Sequence, residues 1–285
     1  MLQDEAAKRR VQRYHSGMHS PLIDIGINLT HDSFDGDRTA VLARARAAGL
    51  VHLVITGASL DGAEQAAALA RTDPAFLSAT AGVHPHHASE LTRAQLPRLA
   101  AVLDDPRVRA AGECGLDYFR DYAPRADQRQ AFEWQLELAR ARQLPVFLHQ
   151  REAHADFVAV LKAAGPLPPC VAHCFTGTRA EAETYLEMGL WIGITGWICD
   201  ERRGAHLLEV VRHIPADRLM LETDGPYLLP RTLQPKPASR RNEPAFLPEV
   251  ARVVAAARGE SIAALAASST ATATHFFGLN ALFQS

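Results

Sequence analysis

The sequence predicts a single (β/α)₈ barrel, the TIM-barrel class of α/β fold. Eight short apolar runs alternate along the chain with longer segments of helical pattern. Strands of a parallel sheet read as such apolar runs because both of their faces are buried. The chain has 285 residues, which fits one barrel of this kind. An open doubly wound sheet is the alternative, but no glycine-rich dinucleotide-binding turn follows the first strand.

The strands and helices follow one another in strict alternation. We predict strands at residues 22–29, 51–56, 76–83, 108–112, 146–149, 170–173, 190–197 and 219–222. We predict helices at residues 38–48, 61–71, 92–103, 125–142, 153–163, 179–187, 201–214, 244–258 and 261–277. Gly49 ends the first helix, and Asp61 is expected to cap the second. Residues 227–243, rich in proline and arginine, follow the eighth strand and should lie over the barrel mouth.

The bulk properties limit the organisation and the partners of the chain. Residues 1–20 are charged and lack the apolar core of a secretory signal, so we interpret them as a flexible extension of one domain, 21–285. The net charge of −2 means that a polyanionic partner must be held by a local basic patch. No apolar stretch approaches the roughly 20 residues of a membrane span. The four cysteines lack disulfide or zinc-finger spacing, which favours a reducing cytoplasm.

Ionisable side chains stand at the ends of four apolar runs. These are Glu113, His149, His173 and Asp224, and His84 ends a fifth run. In a barrel the carboxyl ends of the strands meet on one face, so these side chains should converge. Glu113 alone could equally well pair with an arginine at a strand end, and any one of the histidines alone is better explained as a satisfied structural residue. Together, imidazoles and carboxylates suit a divalent metal that polarises a substrate oxygen or a water.

Longer motifs surround these residues. They read GECGLD from Gly112, LHQREAH from Leu148, HCFTG from His173, ETDGPY from Glu222, IGINLT from Ile25, AGVHPH from Ala81 and SRRNEP from Ser239. From about Leu22 to Gly278 the chain resembles the TatD family of metal-dependent deoxyribonucleases. The resemblance implies a barrel hydrolase that removes nucleotides from the 3′ end of single-stranded DNA or RNA. It also implies magnesium dependence and a part in the repair of oxidative DNA damage.

The resemblance implies a role for each strand-end residue. Glu113, His149 and His173 match metal ligands of the family. Asp224 matches an aspartate that orients or deprotonates the attacking water, and we place it near the metal as well. His84 matches a histidine that contacts the scissile phosphate. We therefore count Asp224, His84 and Glu113 as the catalytic residues.

One position departs from the pattern of the wider family. Most members carry a His-x-His pair at the end of the first strand, and here the matching residues are Gly26 and Asn28. Without those two imidazoles, a second metal is expected to be poorly held. Asn28 offers an oxygen or an amide donor to a bound water or substrate, and a plain turn role explains it equally well.

Basic and aromatic residues near the predicted mouth are candidates to contact the strand. The candidate phosphate ligands are Lys236, Arg240 and Arg241 after the eighth strand and Arg202 and Arg203 after the seventh. For any one of them, a solvated surface role is an equal alternative. Bases could stack on the aromatic residues that follow strand ends, although packing explains each singly: Tyr118, Phe119, Tyr122, Phe175, Trp197 and Tyr227.

Two other functions stay open from the sequence alone. An amidohydrolase-like barrel that cleaves a small ester or amide would also use Glu and His at strand ends, and a non-catalytic barrel could merely bind nucleic acid. The basic loop favours a polyanion, and the full set of ligands favours catalysis. The resemblance indicates Mg²⁺, whereas histidine ligands also accept Mn²⁺ or Zn²⁺. The expected partner is single-stranded DNA or RNA, and no protein partner can be read from the sequence.

Overall fold

The computed structural model describes residues 21–280, and its eight strands form one parallel sheet that runs in chain order. The strands are β1 (Leu22–Ile27), β2 (Leu50–Ile55), β3 (Leu77–Ala81), β4 (Val108–Asp117), β5 (Val146–Arg151), β6 (Cys170–Ala172), β7 (Trp191–Ile194) and β8 (Leu219–Leu221). Residues 1–20, interpreted from sequence as a flexible extension, lie outside the described part. The predicted TIM-barrel class is confirmed.

Helices connect successive strands and pack on the outside of the barrel. They are α1 (Arg38–Ala47), α2 (Leu60–Ala70), α3 (Leu96–Leu103), α4 (Arg125–Arg142), α5 (His154–Ala163), α6 (Arg179–Glu187), α7 (Leu207–His213), α8 (Leu247–Arg258) and α9 (Ile262–Phe276). The cap of α2 is Ser59 rather than Asp61, because the Ser59 hydroxyl accepts from the Gly62 N–H. Within residues 21–280, none of the helices combines the length and the apolar character that crossing a membrane requires.

The barrel closes where β8 meets β1. The Asp224 N–H donates to the Gly26 carbonyl at 2.8 Å, and the Asn28 N–H donates to the Gly225 carbonyl at 2.9 Å. These two bonds continue the pairing past the end of β8, from Gly26 within β1 to Asn28 just after it. They also fix Asp224 and Asn28 side by side at the carboxyl edge of the barrel.

The interior of the barrel is a packed core that α9 closes from below. Apolar side chains from the strands, such as Ile25, Phe147 and Met220, share one buried cluster with Phe276 and Phe277 at the end of α9. This closure lies at the amino ends of the strands. The opposite end, where the strands finish, is therefore the open face available for a site.

The fourth strand is longer than the sequence predicts. We expected it to stop at Gly112, but β4 continues to Asp117 and stays paired with β5 as far as Arg151. The predicted helix at 201–214 is also shortened to Leu207–His213. The extension of β4 matters most, because this one strand carries both Glu113 and Asp117 to the rim, with a shift of register between Ala111 and Cys114.

Candidate metal centre

One carboxylate oxygen lies at the centre of a group of imidazoles. Glu113 Oε1 is 2.8 Å from His173 Nε2, 2.9 Å from His149 Nδ1 and 3.4 Å from His84 Nε2. Glu113 is 6% exposed, so water does little to screen these contacts. The structure thus brings together four of the residues that the sequence singled out.

Backbone hydrogen bonds between neighbouring strands, and between the residues that follow them, hold these side chains in place. Glu113 lies within β4, and its N–H donates to the Gly57 carbonyl. His173 follows β6, and its N–H donates to the Leu148 carbonyl, one residue before His149. His84 follows β3 by three residues and is fixed through the Ala58 carbonyl. Residues far apart in sequence are therefore neighbours on adjacent strands.

A second carboxylate, Asp117, orients the outer side of the group. Its Oδ2 is 2.8 Å from His86 Nε2 and 3.3 Å from His149 Nε2. Its Oδ1 accepts the backbone N–H groups of Phe119 and Arg120 at 3.0 and 2.8 Å. A carboxylate on the far nitrogen of a ligand histidine fixes the tautomer and the ring orientation. Asp117 and His86 both lie within the sequence motifs, but the sequence predicted no role for either.

A third carboxylate, Glu222, supports His173 from below and is fully buried. Its Oε2 lies 3.1 Å from His173 Nδ1, and its Oε1 accepts the Cys174 N–H. Two glycines make room for it. A Cβ at Gly26 would lie 2.5 Å from Oε2, and a Cβ at Gly193 would lie 2.5 Å from Oε1. The sequence signal for Glu222 is its place at the end of the predicted strand 219–222, and no role was predicted for it.

Asp224 lies beside this group rather than within its hydrogen bonds. Asn28 Nδ2 donates to Asp224 Oδ1 at 2.9 Å. Asp224 has a φ of 54°, a left-handed conformation that is uncommon for residues other than glycine. Such backbone positions cluster at functional sites, where the surrounding structure holds them. The barrel closure described above provides that support through the Asp224 N–H.

The electrostatics of the group follow from burial and close ion pairing. Burial alone would raise the pKa of Glu113, but the charges of His173 and His84 and two histidine hydrogen bonds outweigh it, so its pKa lies well below the usual value. Burial alone would lower the pKa of His173, yet Glu113 and Glu222 hold it well above 6.5. Burial dominates at His84 and keeps its pKa well below 6.5. Glu113 is therefore anionic and His84 neutral at neutral pH.

The pKa of Asp224 lies above the usual value for an aspartate, in contrast to that of Glu113. Burial raises the pKa of Asp224 to about 7. The positive charge of His173 opposes this rise, the negative charges of Glu113 and Glu222 add to it, and the Asn28 hydrogen bond lowers the pKa least. A carboxylate whose pKa lies close to neutrality can both accept and release a proton there.

The donor atoms fit a divalent metal ion. His84, Glu113 and His149 each offer a ligand atom, and these atoms all lie within 4.8 Å of one another. His173 Nε2 is 2.8 Å from the same Glu113 oxygen and would add a fourth donor once its ring loses its proton to metal binding. One carboxylate with several imidazoles is a mixed oxygen and nitrogen set that first-row divalent ions bind well.

The basic residues predicted to contact phosphate fall into two groups. Arg241 is tied down, because its guanidinium donates to both Asp37 oxygens at 2.7 and 2.8 Å and to the Ser33 carbonyl. Its charge is already balanced, which leaves it less able to grip a phosphate. Lys236 and Arg240 are exposed, and no described residue forms an ion pair with either.

Arg202 and Arg203 follow β7 and gather around one acid. Their Nε atoms lie 3.8 and 3.0 Å from Asp200, and Arg231 approaches the same carboxylate at 3.6 Å. Three guanidinium groups thus share one buried carboxylate, so this side of the mouth keeps an excess of positive charge.

An eight-stranded parallel barrel with a histidine and carboxylate group at the carboxyl edge defines a metal-dependent hydrolase. The family model described as TatD related DNase matches residues 23–278. The chain belongs to the TatD family of hydrolases, which use divalent metal.

Relatives of known name and structure agree with this assignment. The chain is 51% identical over 259 residues to a protein of Erwinia tasmaniensis named 3′-5′ ssDNA/RNA exonuclease TatD, covering 90% of this chain and 100% of the relative. A protein of the same name from Edwardsiella piscicida is 55% identical, over 82% of this chain and 90% of its own length.

Solved structures show the same fold. A TatD family hydrolase from Entamoeba histolytica superposes with a TM-score of 0.84 at 28% identity, covering 92% of this chain and 99% of its own. The TatD homologue YJJV of Escherichia coli K12 gives 0.83 at 29% identity, covering 92% and 99%.

Proposed function

We propose that this protein is a metal-dependent exonuclease that hydrolyses single-stranded DNA and RNA from the 3′ end. The observation that carries the proposal is the Glu113 carboxylate faced by three imidazoles at the open end of the barrel. The names of relatives that match over their full length supply the direction and the substrate. Membership in a hydrolase family argues against a barrel that merely binds nucleic acid.

The ligand roles are proposed from the family resemblance. Glu113, His149 and His173 are proposed to hold the metal, with Asp224 at its open side, and the contacts of Glu113 with both histidines support this set. Mg²⁺ is the proposed ion, and Mn²⁺ or Zn²⁺ also suit imidazole donors. When bound, the ion supplies positive charge that stabilises an anionic phosphate and eases deprotonation of a water.

The remaining residues act on the substrate and the water. Asp224 is proposed to accept the proton of the attacking water, and Asn28 orients its carboxylate through the 2.9 Å hydrogen bond. His84 stays neutral, so one of its ring nitrogens can donate a hydrogen bond to a phosphate oxygen. Such a donor, fixed before the reaction begins, stabilises charge that develops on the phosphate.

The cellular role is proposed from the family resemblance. Removal of nucleotides from 3′ ends in the cytoplasm would serve the repair of oxidatively damaged DNA. Lys236, Arg240, Arg202 and Arg203 are proposed to hold backbone phosphates, with Arg241 a weaker contributor because Asp37 already binds it.

A time course on end-labelled single-stranded DNA tests the proposal. Label at the 5′ end should move down a ladder one nucleotide at a time, a chelator should stop the reaction, and Mg²⁺, Mn²⁺ and Zn²⁺ should be compared in turn. Glu113→Gln keeps the shape of the side chain and removes its charge, so turnover should fall by more than the about 10- to 100-fold that loss of an outer-shell partner costs. The exposed Glu187→Gln serves as the matched control. Chelator-resistant cleavage, or wild-type turnover of Glu113→Gln at limiting metal, would contradict the proposal.

A further inference from the structure

Exposed aromatic rings are concentrated around the mouth of the barrel. Among residues 21–280, four large hydrophobic side chains are exposed, and three of them are aromatic: Phe119 (48%), Tyr122 (66%) and Tyr227 (51%). All three follow strand ends, two after β4 and one after β8. Exposed apolar surface gathered at one place marks a binding site.

Beyond β4, aromatic rings alternate with guanidinium groups. The Arg151 guanidinium lies 3.8 Å from the centre of the Phe119 ring and 5.9 Å from that of the Trp197 ring. Arg203 covers Trp197 at 4.5 Å. Phe119, Arg151, Trp197 and Arg203 therefore form one continuous series from β4 across β5 to the loop after β7, which we call the aromatic–arginine row.

The row begins at the metal centre. Arg151 is the last residue of β5, two positions after His149. Phe119 donates its N–H to Asp117, the carboxylate that also contacts His149. The Tyr122 ring lies 4.8 Å from the His86 ring, on the same side of the group. A ligand that lies along the row would reach the centre with one end.

The charge of the row is not balanced by acids. Arg151 is half-buried, and none of the described residues gives it a carboxylate partner. Arg203 shares Asp200 with Arg202 and Arg231. Arg151, which lies over a ring without a carboxylate partner, and Arg203, whose single carboxylate is shared among three guanidinium groups, are available to phosphate.

We propose that the aromatic–arginine row binds the body of a single strand on the 5′ side of the scissile phosphate. Unpaired bases stack on Phe119 of the row and on Tyr122 beside it, and backbone phosphates contact Arg151 and Arg203, the pairing of ring and cation that single-strand binding proteins use. The inference rests on the proposed exonuclease function. A 3′→5′ exonuclease needs one short pocket for the terminal nucleotide and a longer track for the remaining strand, and the row offers several successive contacts.

Binding of a labelled 12-nucleotide single strand to inactive Glu113→Gln protein tests the row, measured by anisotropy over a salt series. Phe119→Ala, an exposed position, should weaken binding by on the order of tenfold and leave the salt slope unchanged, because stacking carries no charge. Arg151→Gln should flatten the slope of log affinity against log salt by about 0.7. The matched control is Arg218→Gln, since Arg218 stacks on Trp191 at 4.2 Å beside β8's amino end, opposite the mouth.

A second measurement separates this inference from the proposed function. In the otherwise wild-type enzyme, Phe119→Ala and Arg151→Gln should lower the ratio of long-strand to dinucleotide hydrolysis, mainly through KM. Suppose that wild-type protein degrades single strands, but both variants equal Arg218→Gln in affinity, in the salt slope of binding and in the ratio of long-strand to dinucleotide hydrolysis. The proposed role of the row is then wrong, and the exonuclease function stands. If the wild-type protein hydrolyses no strand, the exonuclease function itself fails. Arg151→Lys, which keeps the charge without the planar fork, should restore the slope and not the stacking.

Discussion

Replacing Gly26 by alanine should disturb the metal centre without touching any proposed ligand. The new Cβ would lie 2.5 Å from Glu222 Oε2, while ordinary contact begins at 3.4 Å, so one of the two groups must shift by about 0.9 Å. The same oxygen holds His173 Nδ1 at 3.1 Å, and neither group has room to yield, because Glu222 is fully buried and Gly193 borders its other oxygen. Loss of such an outer-shell partner costs about 10- to 100-fold in metal affinity or activity.

The assay is metal affinity by calorimetry together with single-strand turnover at saturating and limiting metal. Gly36→Ala is the matched control, since a Cβ there meets nothing within 4 Å. Glu222→Gln removes the charge without adding bulk, and it should weaken metal binding in the same direction. Metal affinity and turnover of Gly26→Ala equal to those of Gly36→Ala would refute the reasoning, because Glu222 would then be free to move without consequence for His173.

Two further predictions concern the surface and the barrel interior. Replacing Lys236 and Arg240 by alanine should flatten the salt slope of strand binding by about 1.4. Adding Arg241→Ala should flatten it by much less than a further step of about 0.7, and a full further step would show that Asp37 does not keep Arg241 from phosphate. Burial lowers the pKa of His52 from 6.5 to about 4. Between these two pH values the unfolded chain binds a proton at His52 that the folded protein does not. The free energy of unfolding should therefore rise with pH across this range, by about 3 kcal/mol from this residue. Urea unfolding at pH 4 to 6.5 should show this rise reduced in His52→Gln relative to the exposed His275→Gln, and equal pH dependence in the two variants would contradict it.

The sequence by itself determined the architecture and the members of the central group. Eight apolar runs bounded by helical segments leave little choice of fold, because parallel strands must be buried on both faces and each needs a crossover helix. Once the barrel is accepted, residues that end strands must meet on one face, so the approach of Glu113, His149 and His173 follows from their positions alone. Neither the fold nor this grouping of side chains requires a measured distance to be predicted.

The tertiary structure decided what surrounds those residues. The extension of β4 to Asp117 depends on pairing with β5, which the turn-like glycines of the sequence did not indicate. The role of Gly26 depends on its contact with Glu222, 196 positions away in the sequence, which only the structure shows. From the sequence, Arg241 is as able to bind phosphate as Arg240, and only the structure shows that Asp37 pairs with its guanidinium group. Propensity and periodicity act along the chain, whereas room for a carboxylate and the pairing of a charge depend on which distant segments the closed barrel brings into contact.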